Sequence, residues 1–587
     1  MSLQAWITLA VVAAVVFLLA RDVVAPSVAV FGGTIFLLVA GIITPAAAFE
    51  GFSNPAPITV AALYILARAV EKTGALQPAV HATLGSGRGT RRSLLRLLVP
   101  SATASAFLNN TPIVAMLAPQ VSTWAERNGR SPSLYLMPLS FAVILGGVTT
   151  LIGTSTNLLV SGLLQAQGQA PIGMFELTRI GLPAALVGLG LIVVLAPLVL
   201  PERRPATRQL EGGTREFVVA MRVVPGGPLD GQAVEAGGLR HLLGVFLVQV
   251  ERGGEVIAPV APTTVLRGED RLTFVGRADL VLDLQVTRGL ESAERQHVAH
   301  FDTAQHTFFA AVVGAASPLV GRTLKKIGFR GNYQAAVVGI HRSGENVAAK
   351  LGEVELKLGD TLLLLSDAGF RDRWRDRNDF LLISPLGGTA PGVSRKAWLV
   401  GLIGLAIVVG AGTGQVPILQ ASLVGAVALV ALGVLSPAEA RGAVDLDVLL
   451  VIAGSFGLGE AILKTGLARD LAHGLVALTN GLGPRGVLLG LVLATVLLDE
   501  VVTNNASAAL MFPIAMAAAT ELGRAPRPFI LAITVAASCS FLTPIGYQTN
   551  TMVYGPGGYR FGDYARLGAP LAVLVIVVIL VTAGVAG

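Results

Sequence analysis

The residues of this chain that could do chemistry are amides, hydroxyls and two carboxylates set inside apolar sequence. Leu498-Asp499-Glu500-Val501-Val502-Thr503-Asn504-Asn505-Ala506 is flanked on both sides by long apolar runs. Each ionisable group near a bilayer centre is disfavoured by roughly 2.5–3.5 kcal/mol on insertion scales, so such a cluster faces a cavity rather than lipid. The same theme occurs earlier as Phe107-Leu108-Asn109-Asn110-Thr111-Pro112, an offset of 395 between Asn109 and Asn504. Two further pairs keep nearly that spacing. Glu71-Lys72-Thr73-Gly74 matches Leu463-Lys464-Thr465-Gly466 at 392, and Gly153-Thr154-Ser155-Thr156-Asn157 matches Gly546-Tyr547-Gln548-Thr549-Asn550 at 393. One module therefore occurs twice.

Other candidates carry less. No nucleophile stands beside a base, so the sequence does not read as an enzyme. Cys539 is the only cysteine, which excludes an intrachain disulfide and a cysteine-rich metal site. His81 and His473 read as loop residues at membrane edges, and the other histidines have no metal-ligand spacing. Tyr547, Tyr554, Tyr559 and Phe561 read as packing and interface anchors. No cofactor is expected.

The elements that must position the polar motifs are membrane helices. With 587 residues, 53% hydrophobic, 13% charged and a mean hydropathy of +0.70, the chain lies far from soluble averages. The net charge of +7 comes from scattered basic residues, which suits topology-setting loops and not nucleic-acid binding. Met1 to Ala20 reads as a first helix, since it lacks the basic start of a signal peptide.

About 20 apolar residues cross a bilayer. The first half offers such stretches near 3–20, 26–43, 56–72, 133–165 and 177–200. Residues 93–121 are apolar on both flanks and interrupted at Asn109-Asn110-Thr111-Pro112, where the proline and amides are expected to stop a helix. A re-entrant hairpin with its tip at mid-membrane accounts for that break, because irregular backbone at membrane depth occurs only where it is buried or lines a cavity. Gly153 to Asn157 marks a discontinuous helix in the same way. The second half repeats the order near 397–411, 416–435, 447–463, a hairpin at 485–517, a broken helix at 527–555, and 567–586.

Five spans per unit is odd, so the second copy enters from the opposite side, giving an inverted repeat. Arg21, Arg88, Arg91, Arg92, Arg96, Arg127, Arg130, Arg203 and Arg204 fall on one side, taken as cytoplasmic, with both termini outside the cytoplasm. The fold class expected is thus an α-helical polytopic membrane protein in two repeats, 1–205 and 386–587.

Residues 206–385 change character. Hydrophobic alternation shortens to strand length and Gly/Asp turns recur. This insert is itself duplicated at an offset of 90: Pro228-Leu229-Asp230-Gly231 matches Pro318-Leu319-Val320-Gly321, and Val250-Glu251-Arg252 matches Ile340-His341-Arg342. The copies span 206–294 and 295–385, and each reads as a short helix followed by a strand hairpin. They resemble the TrkA-C (RCK-C) domain. That resemblance implies a cytosolic α+β domain, pairing into dimers and, in some proteins, a small regulatory ligand.

Duplicated hairpins and broken helices describe secondary transporters whose half-helix N-termini point at an anion while unwound carbonyls hold a coupling cation. Amides and hydroxyls suit an oxyanion, no Arg or Lys lies in the expected cavity, and sodium is the economical counterion for a divalent anion. On Gly51-Phe52-Ser53-Asn54-Pro55, Asn109-Asn110-Thr111-Pro112, Thr503-Asn504-Asn505-Ala506 and Thr543-Pro544-Ile545-Gly546-Tyr547-Gln548-Thr549-Asn550, the chain resembles the divalent anion/sodium symporters, in particular the sulfate-permease-like branch with TrkA-C inserts.

In that family paired Ser-Asn-Thr tips contact both substrate and sodium, and movement is elevator-like. Carried over by position, the resemblance implies that Asn110, Thr111 and Asn505 contact substrate, with Thr154, Asn157, Gln548, Thr549 and Asn550 completing the cavity. It implies one sodium site bordered by Ser105, Asn109, Asn110 and Gly153, and another by Glu500, Thr503, Asn504, Asn505 and Gly546. Asn109 and Asn504 stand where the family has Ser, and Ala506 stands for the second tip Thr, which favours sulfate over a C4-dicarboxylate.

The function expected is a sodium-coupled anion symporter of the inner membrane, a homodimer, with its TrkA-C domains in the cytoplasm. The alternatives are an ion channel gated by those domains, an efflux carrier for an oxyanion or arsenite, and proton coupling through Glu500 or Asp499.

Overall fold

Two helical stretches flank a region of strands in the computed structural model of the protein. It describes residues 1–21, 24–75, 89–202, 217–239, 245–252, 255–257, 260–261, 263–276, 289–292, 306–314, 317–342, 345–347, 351–367, 369–374, 377, 379–385 and 394–584. The first stretch comprises α1 (Leu3–Ala20), α2 (Pro26–Val39), α3 (Pro45–Ser53), α4 (Pro55–Thr73), α5 (Thr90–Ser105), α6 (Asn110–Arg127), α7 (Leu136–Gly147), α8 (Ser155–Ala166) and α9 (Thr178–Val199).

Between the stretches lie strands β1 (Phe217–Val223), β2 (Val245–Arg252), β3 (Glu255–Ile257), β4 (Arg271–Gly276), β5 (Leu290–Ser292) and β6 (His306–Val313). Helices α10 (Leu324–Ile327) and α11 (Phe329–Tyr333) follow, then β7 (Ala336–Arg342), β8 (Glu345–Asn346), β9 (Thr361–Asp367), α12 (Phe370–Trp374) and β10 (Phe380–Pro385).

The second stretch comprises α13 (Ala397–Gly412), α14 (Ile418–Ala431), α15 (Pro437–Gly442), α16 (Leu446–Lys464), α17 (Leu467–Thr479), α18 (Gly483–Asp499), α19 (Asn504–Glu521), α20 (Arg527–Ala536), α21 (Gln548–Tyr554) and α22 (Phe561–Thr582). The chain divides into two compact units. One holds Met1–Arg203, Phe308–Leu364 and Gly369–Gly587, and the other Arg204–Thr307 with Leu365–Ala368.

Helix starts are written locally. Thr44, Asn54 and Ser436 each cap a helix that opens on proline, the side-chain oxygen accepting from a first-turn N–H. These caps begin α3, α4 and α15, and α3 and α15 are short helices that hydropathy alone treats as span ends or loops. A third addition is α17, whose Arg469, Asp470 and His473 interrupt the apolar pattern. His81 and Arg88 lie outside the described residues, as do Arg203, Arg204 and the expected boundaries at 205/206 and 294/295.

Both hairpins form. Helices α5 and α6 turn at 106–109, and α18 and α19 turn at 500–503. The expectation that Asn110-Thr111-Pro112 stops a helix is corrected: these residues start α6, and Pro112 sits in the first turn, where a missing N–H leaves no helical bond unmade. Thr503 caps α19, its Oγ1 accepting from the Ala506 N–H at 3.4 Å.

Both broken helices form as well, α7 to α8 and α20 to α21. Their unwound segments are tied alike. Asn157 Nδ2 donates to Gly147 O at 3.3 Å and Thr150 O at 2.8 Å, and Asn550 Nδ2 to Ser540 O at 3.0 Å and Thr543 O at 3.3 Å. At the 393 offset these are the same two bonds made twice.

Packing exchanges the halves. Helix α2 packs on α16 while α4 packs on α14, and α6 meets α21 while α8 meets α19. Close backbone approach requires glycine at two further seams: between α3 and α16 a Cβ on Gly51 would lie 2.7 Å from Ala453 Cα, and between α7 and α5, within the first half, one on Gly146 would lie 2.7 Å from Ala102 Cα. Four described helices, α1, α9, α16 and α22, are long and apolar enough to cross a membrane. Trp6, Leu186, Leu198, Trp398 and Val581 are exposed apolar side chains of the kind a bilayer covers.

The strands form two five-stranded sheets of one topology. The orders β3-β2-β4-β1-β5 and β8-β7-β9-β6-β10 coincide when the second is shifted by five strands. In the first, Arg252 grips Asp270 at 2.6–2.7 Å and reaches Val265 O; in the second, Arg342 grips Asp360 at 2.7–2.8 Å and reaches Glu355 O. The helix-plus-hairpin expected of each copy is therefore part of a larger sheet, since β1, β4, β6 and β9 supply its middle.

Candidate functional site

Each hairpin tip is hydrogen-bonded to the broken helix of the other half. Asn110 Nδ2 donates to the Tyr547 phenol at 2.6 Å, and Thr111 Oγ1 to Gln548 Oε1 at 3.1 Å. In return the Ser155 and Thr156 hydroxyls donate to Asn505 Oδ1 at 3.3 and 3.2 Å. The polar notches separated by 395 residues in sequence thus share one site.

Three helix N-termini meet there, those of α6, α8 and α19, beside the seven-residue α21. Their free N–H groups and partial positive charge suit an anion. Asn109, Thr111, Ser155, Thr503 and Asn504 are half-buried and Gln548 is exposed, so the rim is accessible. Asn110, Thr154, Asn157, Asn505, Thr549 and Asn550 are buried. Of these, Thr549 and Asn550 face away from the tips: the Ser140 hydroxyl lies 2.8 Å from Thr549 Oγ1 and 2.7 Å from Asn550 Oδ1. Asn157 and Asn550 act here as ties of the unwound segments.

Two cradles flank the tips, and they differ in charge. In the first, Ser105 Oγ donates to Asn110 Oδ1 at 2.5 Å, and a Cβ on Gly153 would lie 2.8 Å from Gly147 Cα and from Ser105 O. In the second, the sequence offsets put Glu500 at the place of Ser105 and Ser540 at that of Gly147. Glu500 Oε1 accepts the N–H groups of Phe541 and Leu542, each at 2.8 Å. Its Oε2 and the Ser540 Oγ both border the spot that a Cβ on Gly546 would fill.

Asp499 is fully buried, and neither of its carboxylate oxygens has a hydrogen-bond partner among the described residues. These acids close the C-terminal end of α18, where the helix dipole opposes negative charge, and no Arg or Lys pairs with either among the described residues. They are therefore neither N-caps nor members of an ion pair. An oxygen-rich cradle with spare carboxylate capacity fits a hard monovalent cation.

Tyr547, Ser140, Ser155, Thr156 and Ser540 belong to this geometry beyond the sequence expectations. Tyr547 packs in the main apolar core, as expected, and its phenol also meets the first tip. The signal that could have found these residues is the repeat itself, since Ser155 and Thr156 align with Gln548 and Thr549 at 393.

The chain matches the citrate transporter family (CitMHS) over residues 14–536 and again over 484–586. It is 35% identical over 563 residues to the putative sulfur deprivation response regulator of Chlamydomonas reinhardtii, covering 94% of this chain and 96% of that one. It is 36% identical over 539 residues to an uncharacterized transporter of Synechocystis sp., covering 89% and 87%. Sodium/sulfate cotransporter 1 of Chlamydomonas reinhardtii is 24% identical over 739 residues, covering 90% and 84%. Matched through nearly its whole length and built on apolar helices around a buried polar site, the chain belongs to the citrate transporter family and is a multi-pass membrane transporter, not an enzyme.

Proposed function

We propose that the chain is a secondary active symporter that brings a divalent oxyanion into the cell together with sodium. Sulfate is the favoured substrate and a C4-dicarboxylate the second. The observation that carries this reading is the crosswise pairing of tips and breaks, Asn110–Tyr547 and Thr156–Asn505, which brings the N-termini of α6, α8 and α19 and the unwound segment before α21 to one polar site. Side-chain amides, hydroxyls and backbone N–H groups there offer donors to an oxyanion without any full positive charge.

Sodium supplies the missing charge. The first site takes it at Ser105, Asn109, Asn110 and Gly153, and the second at Glu500, Thr503, Asn504, Asn505 and Gly546. The Glu500 Oε2 and Ser540 Oγ that together border the Gly546 backbone support the second. Anion and cations together lower the penalty for carrying polar groups through an apolar barrier. Sodium/sulfate cotransporters among the relatives support the same pairing.

In this reading the two hairpins and two broken helices travel together, elevator-like, against the remaining helices of a homodimer in the inner membrane. The paired sheets are cytoplasmic TrkA-C-like domains occupying 206–294 and 295–385, open to a small regulatory ligand. Saturable, sodium-gradient-driven uptake of radiolabelled sulfate into proteoliposomes is the expected result. Sodium-independent uptake, or passive cation current without solute flux, overturns it.

A further inference from the structure

We propose that the Tyr547 ring sets the length of anion the site accepts, an inference that rests on the oxyanion-symport reading above. The two unwound segments align residue for residue at an offset of 393, with Gly153 on Gly546, Thr156 on Thr549 and Asn157 on Asn550. Within this register Tyr547 falls on Thr154. The backbone at the two positions is nearly the same, φ −143° and ψ 149° at Thr154 against φ −140° and ψ 140° at Tyr547. Both side chains therefore leave similar backbone in similar directions, and the difference between the halves is a phenol in place of a short hydroxyl.

That phenol reaches across to the first tip. Its oxygen accepts from Asn110 Nδ2 at 2.6 Å and lies 3.5 Å from Thr154 Oγ1. Asn110 Oδ1 is already held by Ser105. Both ends of the Asn110 amide are thereby engaged by the protein, and the donors left at the first tip are its second N–H and the N–H groups of α6, since the Thr111 hydroxyl is given to Gln548. Tyr547 is 9% exposed and packs in the main apolar core, so it is a wall of the cup rather than a loose plug.

The consequence concerns shape. An elongated dianion would place one charged end at each tip and lay its carbon chain between them, through the space the ring occupies. A tetrahedral dianion has its charge on one compact centre and needs no such span. The structure thus assigns Tyr547 the role of disfavouring long dianions against compact ones, with its hydroxyl orienting Asn110 as a separate and lesser effect.

The test compares wild type, Tyr547→Thr and Tyr547→Phe in proteoliposomes, reading the concentrations of succinate and of unlabelled sulfate that halve sodium-driven uptake of radiolabelled sulfate. Tyr547→Thr is expected to move the succinate-to-sulfate ratio toward succinate by about tenfold or more, the scale of a change in pocket volume. Tyr547→Phe is expected to keep the wild-type ratio. Where Tyr547→Thr does not fold, Tyr547→Leu makes the same comparison.

An unchanged ratio in the shortened variant, on a background that transports sulfate, overturns the size limit and leaves the functional reading standing. An equal shift in Tyr547→Phe also overturns it, because the ring remains there. If wild type shows no sodium-driven sulfate uptake, the functional reading fails. Thermal shifts induced by sulfate and by succinate in the same variants then decide the size limit independently.

Discussion

Asn110 and Asn505 are the residues on which the site turns, since each is buried and each joins its tip to the opposite half. Asn110→Ala and Asn505→Ala are each expected to lower sodium-driven uptake by at least tenfold, because a hydrogen bond to a charged group is worth about 1.5–3 kcal/mol. Both variants should still express and unfold cooperatively in detergent, at a modestly lower temperature because buried hydrogen bonds are lost, which separates a binding defect from misfolding. Glu500→Gln tests the charge difference between the two cradles. It keeps an acceptor for Phe541 and Leu542 but removes the negative charge, so the sodium concentration giving half-maximal uptake should rise about tenfold while the sulfate dependence at saturating sodium moves less. The tips were legible in sequence because amides inside apolar runs have no place against lipid. Which tip meets which break was not, since that is decided by packing between helices hundreds of residues apart. Tyr547 reads from sequence as a packing residue and does pack, whereas the bond of its phenol to Asn110 is made across 437 residues and has no local signal.

At the scale of elements, the hairpins, broken helices and long spans follow from hydropathy and its polar breaks, whereas α3, α15 and α17 do not. The first two are too short to register as spans, and their signal is a capping residue followed by proline. The sheets were legible only as hairpins, because the strands that complete them are contributed from distant parts of each copy. One of these sheets touches the transport helices directly. The turn before β9 places Gly359 at φ +78°, and a Cβ there would lie 2.9 Å from the Tyr554 ring at the C-terminal end of α21. Thr361 abuts Gly555, and Arg371 lies 3.9 Å from Glu71 at the end of α4. Gly359→Ala is therefore expected to destabilise in two ways, by about 1–2 kcal/mol for the left-handed backbone and by displacement of Tyr554. In a Tyr554→Ala background only the backbone cost should remain. Thermal unfolding of the four variants in a double-mutant cycle reads that difference, and additive costs would exclude the contact.

Across the whole molecule, the halves are held by exchanged packing and, among the described residues, by ion pairs that include Lys72–Glu439 and the bidentate Arg527–Glu176. Arg527, at the start of α20, donates to Glu176 Oε1 at 2.5 Å and Oε2 at 2.7 Å, and also to Ala170 O and Pro171 O at 2.8 Å each. Those three partners lie in the first half, just before α9. The Arg527 hydrogen bonds hold the Glu176 carboxyl below its ordinary range, against partial burial, which raises it, with the Gly173 N–H adding to the lowering. Both side chains are about 30% exposed, 31% for Arg527 and 28% for Glu176. The pair accordingly falls between an exposed bridge and a buried charge-assisted one, about 1–2 kcal/mol. A carboxyl lowered in the folded state stabilises fully above its unfolded pKa, about 4.3, and that stabilisation is lost as pH falls through the lower folded value. Glu176→Gln should thus unfold at a lower temperature than wild type at pH 7, and the gap should narrow as the two are compared at successively lower pH below about 4. Arg527→Lys keeps the charge but not the fork that reaches Glu176 and two carbonyls at once, so it should lose most of the same stability. A gap between Glu176→Gln and wild type that is constant from pH 7 into the acid range would mean that the carboxylate charge does not contribute to holding the halves together.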